Sequence, residues 1–156
     1  MNEQILVNPR WAVLVTWGIV NVVNLLQSAG FLSRVNTKSM EINHWLGYGI
    51  MALAIPAVIA LVAFTRARAD WRQWIGLAVF LAFLVLMITV EYIWPVEFRS
   101  PPRYEVLVPY LVLFFGAILL MGLPMFRMDR RLWLVTVATT VLLLTTMVLA
   151  MRKGVG

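Results

Sequence analysis

Apolar residues run almost unbroken through five stretches of the chain, at about 11–32, 44–65, 74–96, 106–126 and 132–151, and charged residues gather between them. A helix rises 1.5 Å per residue, so ~20 mostly apolar residues cross the ~30 Å hydrocarbon core of a bilayer. All five stretches meet that length. No alternating strand pattern suggests a barrel. The pattern predicts an all-α membrane protein, a five-transmembrane-helix bundle with short loops, forming one integral membrane domain over 1–156. Short loops make sequential helices antiparallel neighbours. Prolines refine the expectation. Pro56 should kink the second span, since a mid-helix proline removes a hydrogen bond. Pro109 falls in the first turn of the fourth span, where proline is tolerated, and Pro124 near its end. Pro101-Pro102 forces an extended stretch in the loop before that span.

Composition agrees with a lipid solvent: 62% of the 156 residues are hydrophobic and 13% charged, against about 25% charged in a soluble domain. Six of the seven tryptophans (Trp11, Trp45, Trp71, Trp74, Trp94, Trp133) lie near span ends, as an interfacial aromatic belt requires, and only Trp17 sits well inside. The first stretch is expected to be a retained helix. Its apolar core is too long for a signal peptide, and Met1-Asn2-Glu3-Gln4 lacks a basic start.

An odd number of spans puts the termini on opposite sides; the N-terminal side is called side A here, the other side B. Side A carries Arg10, Arg66, Arg68, Arg72, Arg127, Arg130 and Arg131. Side B carries Arg34, Lys38, Arg99, Arg103, Arg152 and Lys153. The margin is narrow, but the side A loops are short and densely basic, and short loops dominate topology. Side A is therefore expected to be cytoplasmic, in a prokaryotic inner membrane. The net charge of +6 sits at span ends, where topology and anionic lipid head groups place arginine, so nucleic acid is not an expected partner. No cysteine and one histidine, His44, are present. Disulfides, thiolate metal sites, bis-histidine haem ligation within the chain and three-histidine sites are excluded. No metal site is expected and no cofactor is indicated.

Candidate chemistry concentrates toward side B, which holds Glu41, Glu91, Glu97 and Glu105 and the two longer loops. In the first span Trp17, Asn21, Asn24 and Ser28 share one narrow face at 100° per residue, flanked by Gln27. Amides in hydrocarbon are costly unless bonded, so this face should point into the bundle. It is either interhelical glue or the wall of a polar cavity open to side B. Glu91 is the one carboxylate inside a predicted span, near the side B end of the third. Intramembrane acids mark functional sites by default, although an ion pair with Arg34, Arg99 or Arg103 would also account for it. Glu41 and His44 are spaced i, i+3 at the start of the second span, which permits a carboxylate–histidine pair or a plain helix start. Arg99 and Arg103, in the proline-containing loop, suit a phosphate or carboxylate head group or a charge-paired loop. The threonines of the fifth span (Thr136, Thr139, Thr140, Thr145, Thr146) read as packing, because a threonine can return its proton to the preceding turn. In the second span Ala54, Ala57, Ala60 and Ala63, with Gly47 and Gly49 nearby, offer a small-residue face for close helix approach.

Walker, dinucleotide, zincin, nucleophile-elbow and channel-filter motifs are all missing. Three functions fit what remains. The first is a lipid- or hydrophobic-ligand-binding or structural subunit of a larger membrane complex, with membrane lipids and other membrane subunits or a second copy as partners. The second is an enzyme on a lipid-like substrate using Glu91 and His44 as acid and base. The third is a small transporter or proton conductor lined by the first-span amides and Glu91, which requires a polar path continuing to side A.

Overall fold

The computed structural model describes residues 9–37, 41–98 and 102–154. Six helices build five spans: α1 (Arg10–Thr37), α2 (Glu41–Ala52) and α3 (Ala54–Arg66) as one interrupted span, α4 (Trp71–Ile88) continued by a π-helical turn at Thr89–Ile93, α5 (Tyr104–Met128) and α6 (Arg130–Arg152). All five spans are long and apolar enough to cross a membrane. The protein is an all-α, five-helix membrane bundle.

Local chemistry sets the ends and breaks. Pro9 precedes α1, and its carbonyl accepts from Ala12 N at 2.8 Å. Asp70 caps α4 by accepting from Arg72 N at 3.1 Å; Asp129 caps α6 by accepting from Arg131 N at 2.8 Å. Both carboxylates thus satisfy orphan N–H groups of a first helical turn. The second span breaks at Leu53 because Pro56 has no N–H for the Ala52 carbonyl. Leu53 N bonds Ile50 O at 3.1 Å instead, and Ala57 N bonds Leu53 O to restart the helix. The same chemistry shapes the end of the third span. Pro95 withholds a donor from the Glu91 carbonyl, and the closing bonds reach further back: Trp94 N to Thr89 O and Val96 N to Val90 O, both 2.9 Å. The widened turn carries Glu91 and Tyr92. Between α3 and α4 the chain reverses through Arg68 at φ +49°, with Ala69 N closing on Phe64 O at 3.0 Å.

α1 is the hub. It touches α2, α3, α5 and α6, while α4 packs on α3 and most extensively on α5. Half of α1's most apolar window is buried, against 22% for the second and fifth spans, which places α1 at the centre and those two at the perimeter. α4 and α5 meet backbone to backbone at Gly76, where a Cβ would lie 2.6 Å from the Met121 nitrogen. A cluster of Phe80, Phe83, Phe114, Met121 and Met125 fills the space around that crossing. The alanine face of the second span is used within the chain: Ala57 and Ala60 are 0% exposed, where α3 meets α1 and α4. The close helix approach expected of this face from sequence is thus made to neighbouring helices of the same chain. What α3 leaves outside is Ile55, Val58, Ile59 and Val62, bulky side chains suited to lipid.

Candidate functional site

The polar face of α1 meets α6. Trp17 Nε1 donates to Leu132 O at 2.9 Å. Asn21 Nδ2 donates to Trp17 O at 2.7 Å and to Thr136 Oγ1 at 3.2 Å, and Asn21 Oδ1 accepts from the Thr139 hydroxyl at 2.8 Å. Asn24 Nδ2 donates to Thr139 Oγ1 at 3.1 Å and Thr140 Oγ1 at 3.0 Å. Ser28 returns its proton to Asn24 O at 2.7 Å. Both helices run from side A to side B, and the pairs keep a nearly constant offset of 115 or 116 residues. Positions 17, 21, 24 and 28 step by four and three, the spacing of a parallel coiled-coil seam, here built from amides and hydroxyls. Donor accounting fixes how Asn24 points. The Thr140 hydroxyl donates to Thr136 O at 2.7 Å and the Thr139 hydroxyl to Asn21, so both threonine oxygens are left to receive the Asn24 amide. Asn24 Oδ1 then accepts no hydrogen bond among the described residues, although Asn24 is 0% exposed.

Beside this seam, toward side B, lies a cavity of about 530 Å³, within the ~300–1,000 Å³ of small-molecule sites. Its inner wall mixes polar groups with Leu26, Leu46, Ile50 and Met87. Gln27, Phe31 and Arg34 come from α1, Asn43 and Gly47 from α2, and Glu91 from the π turn. The outer wall is apolar: Leu107, Leu111, Phe114 and Phe115 from α5, Met147 and Met151 from α6. Tyr110 reaches in from α5 and donates to Glu91 Oε1 at 2.8 Å. Arg34 is only 4% exposed. Its guanidinium lies 4.5 Å from the centre of the Phe31 ring, a cation–π contact that offsets part of the cost of burying the charge. Leu111 of α5 and Met151 of α6, both lining the cavity, are 36% and 64% exposed. Those two helices are joined by Asp129 alone at side A. They pack tightly there, with Phe126 and Trp133 rings 5.0 Å apart. Toward side B they line the cavity.

The structure gathers some candidate residues and separates others. Glu91 and Gln27 line the cavity; Asn21, Asn24 and Ser28 lie in the α1–α6 seam behind it. His44 is exposed and does not line the cavity. Its ring lies 4.9 Å from that of Tyr92, and its carbonyl accepts from the Tyr92 hydroxyl at 3.0 Å. Tyr92 sits directly over Gly47, where a Cβ would collide with its hydroxyl. Glu41 is exposed in the first turn of α2. Glu91 and His44 therefore face different surroundings. Arg103 is exposed immediately before α5, and its carbonyl accepts from Leu107 N at 2.9 Å. Arg99 lies outside the described residues.

Arg34 and Tyr110 belong to the site and were not singled out by sequence as lining it. For Arg34 a signal exists: Gln27, Phe31 and Arg34 step by four and three along one face of α1. For Tyr110 none does, because only the packing of α5 on α4 brings it to Glu91. Comparison with protein-family models, with curated proteins and with solved structures gave no match.

Proposed function

We propose that this chain is a membrane-embedded binding protein for a lipid-soluble ligand, which it holds in the side B cavity and takes up from the bilayer between α5 and α6. The observation that carries this reading is a largely apolar cavity with a few polar groups set into it. A buried arginine and the Glu91–Tyr110 pair stand among aliphatic, methionine and phenylalanine side chains. Few precisely placed polar groups in a largely apolar concavity are what a small-ligand site requires. Prokaryotic inner membrane and a cytoplasmic side A remain parts of the same proposal.

Glu91 lines the cavity and His44 does not, which favours the binding reading over an enzyme that uses the two as acid and base. The small-residue contacts at Ala57, Ala60 and Gly76 are spent inside the chain, which weakens the case for a docking subunit. For transport, the amides and hydroxyls of the α1–α6 seam do extend toward side A, but they bond one another and none is titratable.

The test is native mass spectrometry of the protein released gently from its own membrane. Wild type should carry one defined hydrophobic molecule. Leu107→Trp and Met147→Trp, which fill the cavity, should lose it while keeping the helical circular-dichroism spectrum. An identical set of bound molecules in wild type and both variants would sink the proposal.

A further inference from the structure

We infer that the ligand is an amphiphile with an uncharged, hydroxyl-type head and a single apolar tail. This deepens the cavity reading above and rests on it. Among the described residues lining the cavity, Arg34 and Glu91 are the charged ones, one of each sign. They share a single recess of about 530 Å³.

A charged head group loses its hydration on entering such a recess. An anionic head would regain attraction from Arg34 and lose it again to repulsion from Glu91; a cationic head would meet the opposite balance. Low dielectric strengthens both terms together, so they offset while the desolvation cost stands. A hydroxyl escapes this conflict. Its oxygen accepts from a guanidinium, and its proton is donated to a carboxylate. Arginine has five donors and a carboxylate about four acceptor positions, of which the Tyr110 hydroxyl takes one at Glu91. The tail then lies along Leu107, Phe114, Phe115 and Met147 of the apolar lining. The uptake between α5 and α6 proposed above suits a molecule dissolved in the bilayer.

The experiment uses a headgroup series on one chain length. The full-length protein in phosphatidylcholine nanodiscs is offered an equimolar mixture at neutral pH. The four probes are 1-hexadecanol, hexadecanoate, hexadecylammonium and hexadecylphosphocholine, and bound species are read by native mass spectrometry. Wild type should retain 1-hexadecanol over each of the other three by about tenfold or more. Glu91→Gln leaves Arg34 as the lining charge and should switch the preference to hexadecanoate. Arg34→Gln leaves Glu91 and should switch it to hexadecylammonium. The two variants act in opposite directions, so a folding defect in either one leaves the other as the test. Preference of wild type for any charged or zwitterionic probe, or a folded variant that keeps the wild-type order, overturns the inference while the cavity remains a ligand site. Binding of none of the four overturns the cavity reading itself.

Discussion

Asn21 and Asn24 place two primary amides in the apolar middle of α1, and their partners decide what they do. In lipid, apolar helices gain nothing from hydrophobic exclusion of one another, so hydrogen bonds weigh more in choosing neighbours and register. Asn21 bonds Thr136 and Thr139; Asn24 bonds Thr139 and Thr140. A double-mutant cycle of Asn21→Ala with Thr139→Val, read by unfolding in mixed micelles, should give a coupling of ~0.6–2 kcal/mol. A coupling of zero would mean the seam carries no register information. The amide face of α1 was legible from 3.6-residue spacing. Its partner was not, because nothing local in the sequence says which helix lies alongside. Glu91 stood out as an intramembrane acid, yet Tyr110, its hydrogen-bond donor, is one of four tyrosines and becomes special only through packing.

The elements were legible to different degrees. Five apolar stretches place five spans, and Pro56 marks the interruption between α2 and α3. The extension of α1 to Thr37, five residues past the apolar stretch, was not visible, since its last turn is polar. The π turn was hidden as well. Pro95 advertises an end to α4 but does not say that the last carbonyls will be met by donors five and six residues ahead. At the element scale the most exacting contact is α4 on α5. At Gly76 an added Cβ would lie 2.6 Å from Met121 N and 2.8 Å from the Leu120 carbonyl carbon, and backbone cannot rotate aside. Gly76→Ala should therefore force the two helices apart and cost ~1–3 kcal/mol, read as a lowered midpoint of thermal unfolding in detergent. Gly47→Ala meets the Tyr92 hydroxyl, the end of a side chain that can swing away, and should cost less. The reverse order would show that α4 and α5 are not held at this distance.

For the whole molecule, the two faces of the bundle are built differently. On side A both turns are short, and the carboxylates within them, Asp70 and Asp129, are engaged in capping backbone N–H groups, so the surrounding arginines dominate that surface. On side B the helices separate around the cavity. The link between these conditions is the turn at Asp129. α6 has 23 residues, hence a length of ~34 Å, and one degree of tilt about that turn moves its far end by ~0.6 Å. Rotations too small to disturb the tight side A contacts are thus magnified into a change of aperture at the opposite face. Spans longer than the local hydrocarbon thickness respond by tilting. A thinner bilayer should then splay α5 from α6, and a retained ligand should exchange faster from nanodiscs of fourteen-carbon lipids than from eighteen-carbon ones. Identical exchange rates would mean the pair moves as one rigid block. Under the proposed binding function, the single-residue turn would act as a lever through which membrane thickness itself becomes an input to ligand occupancy.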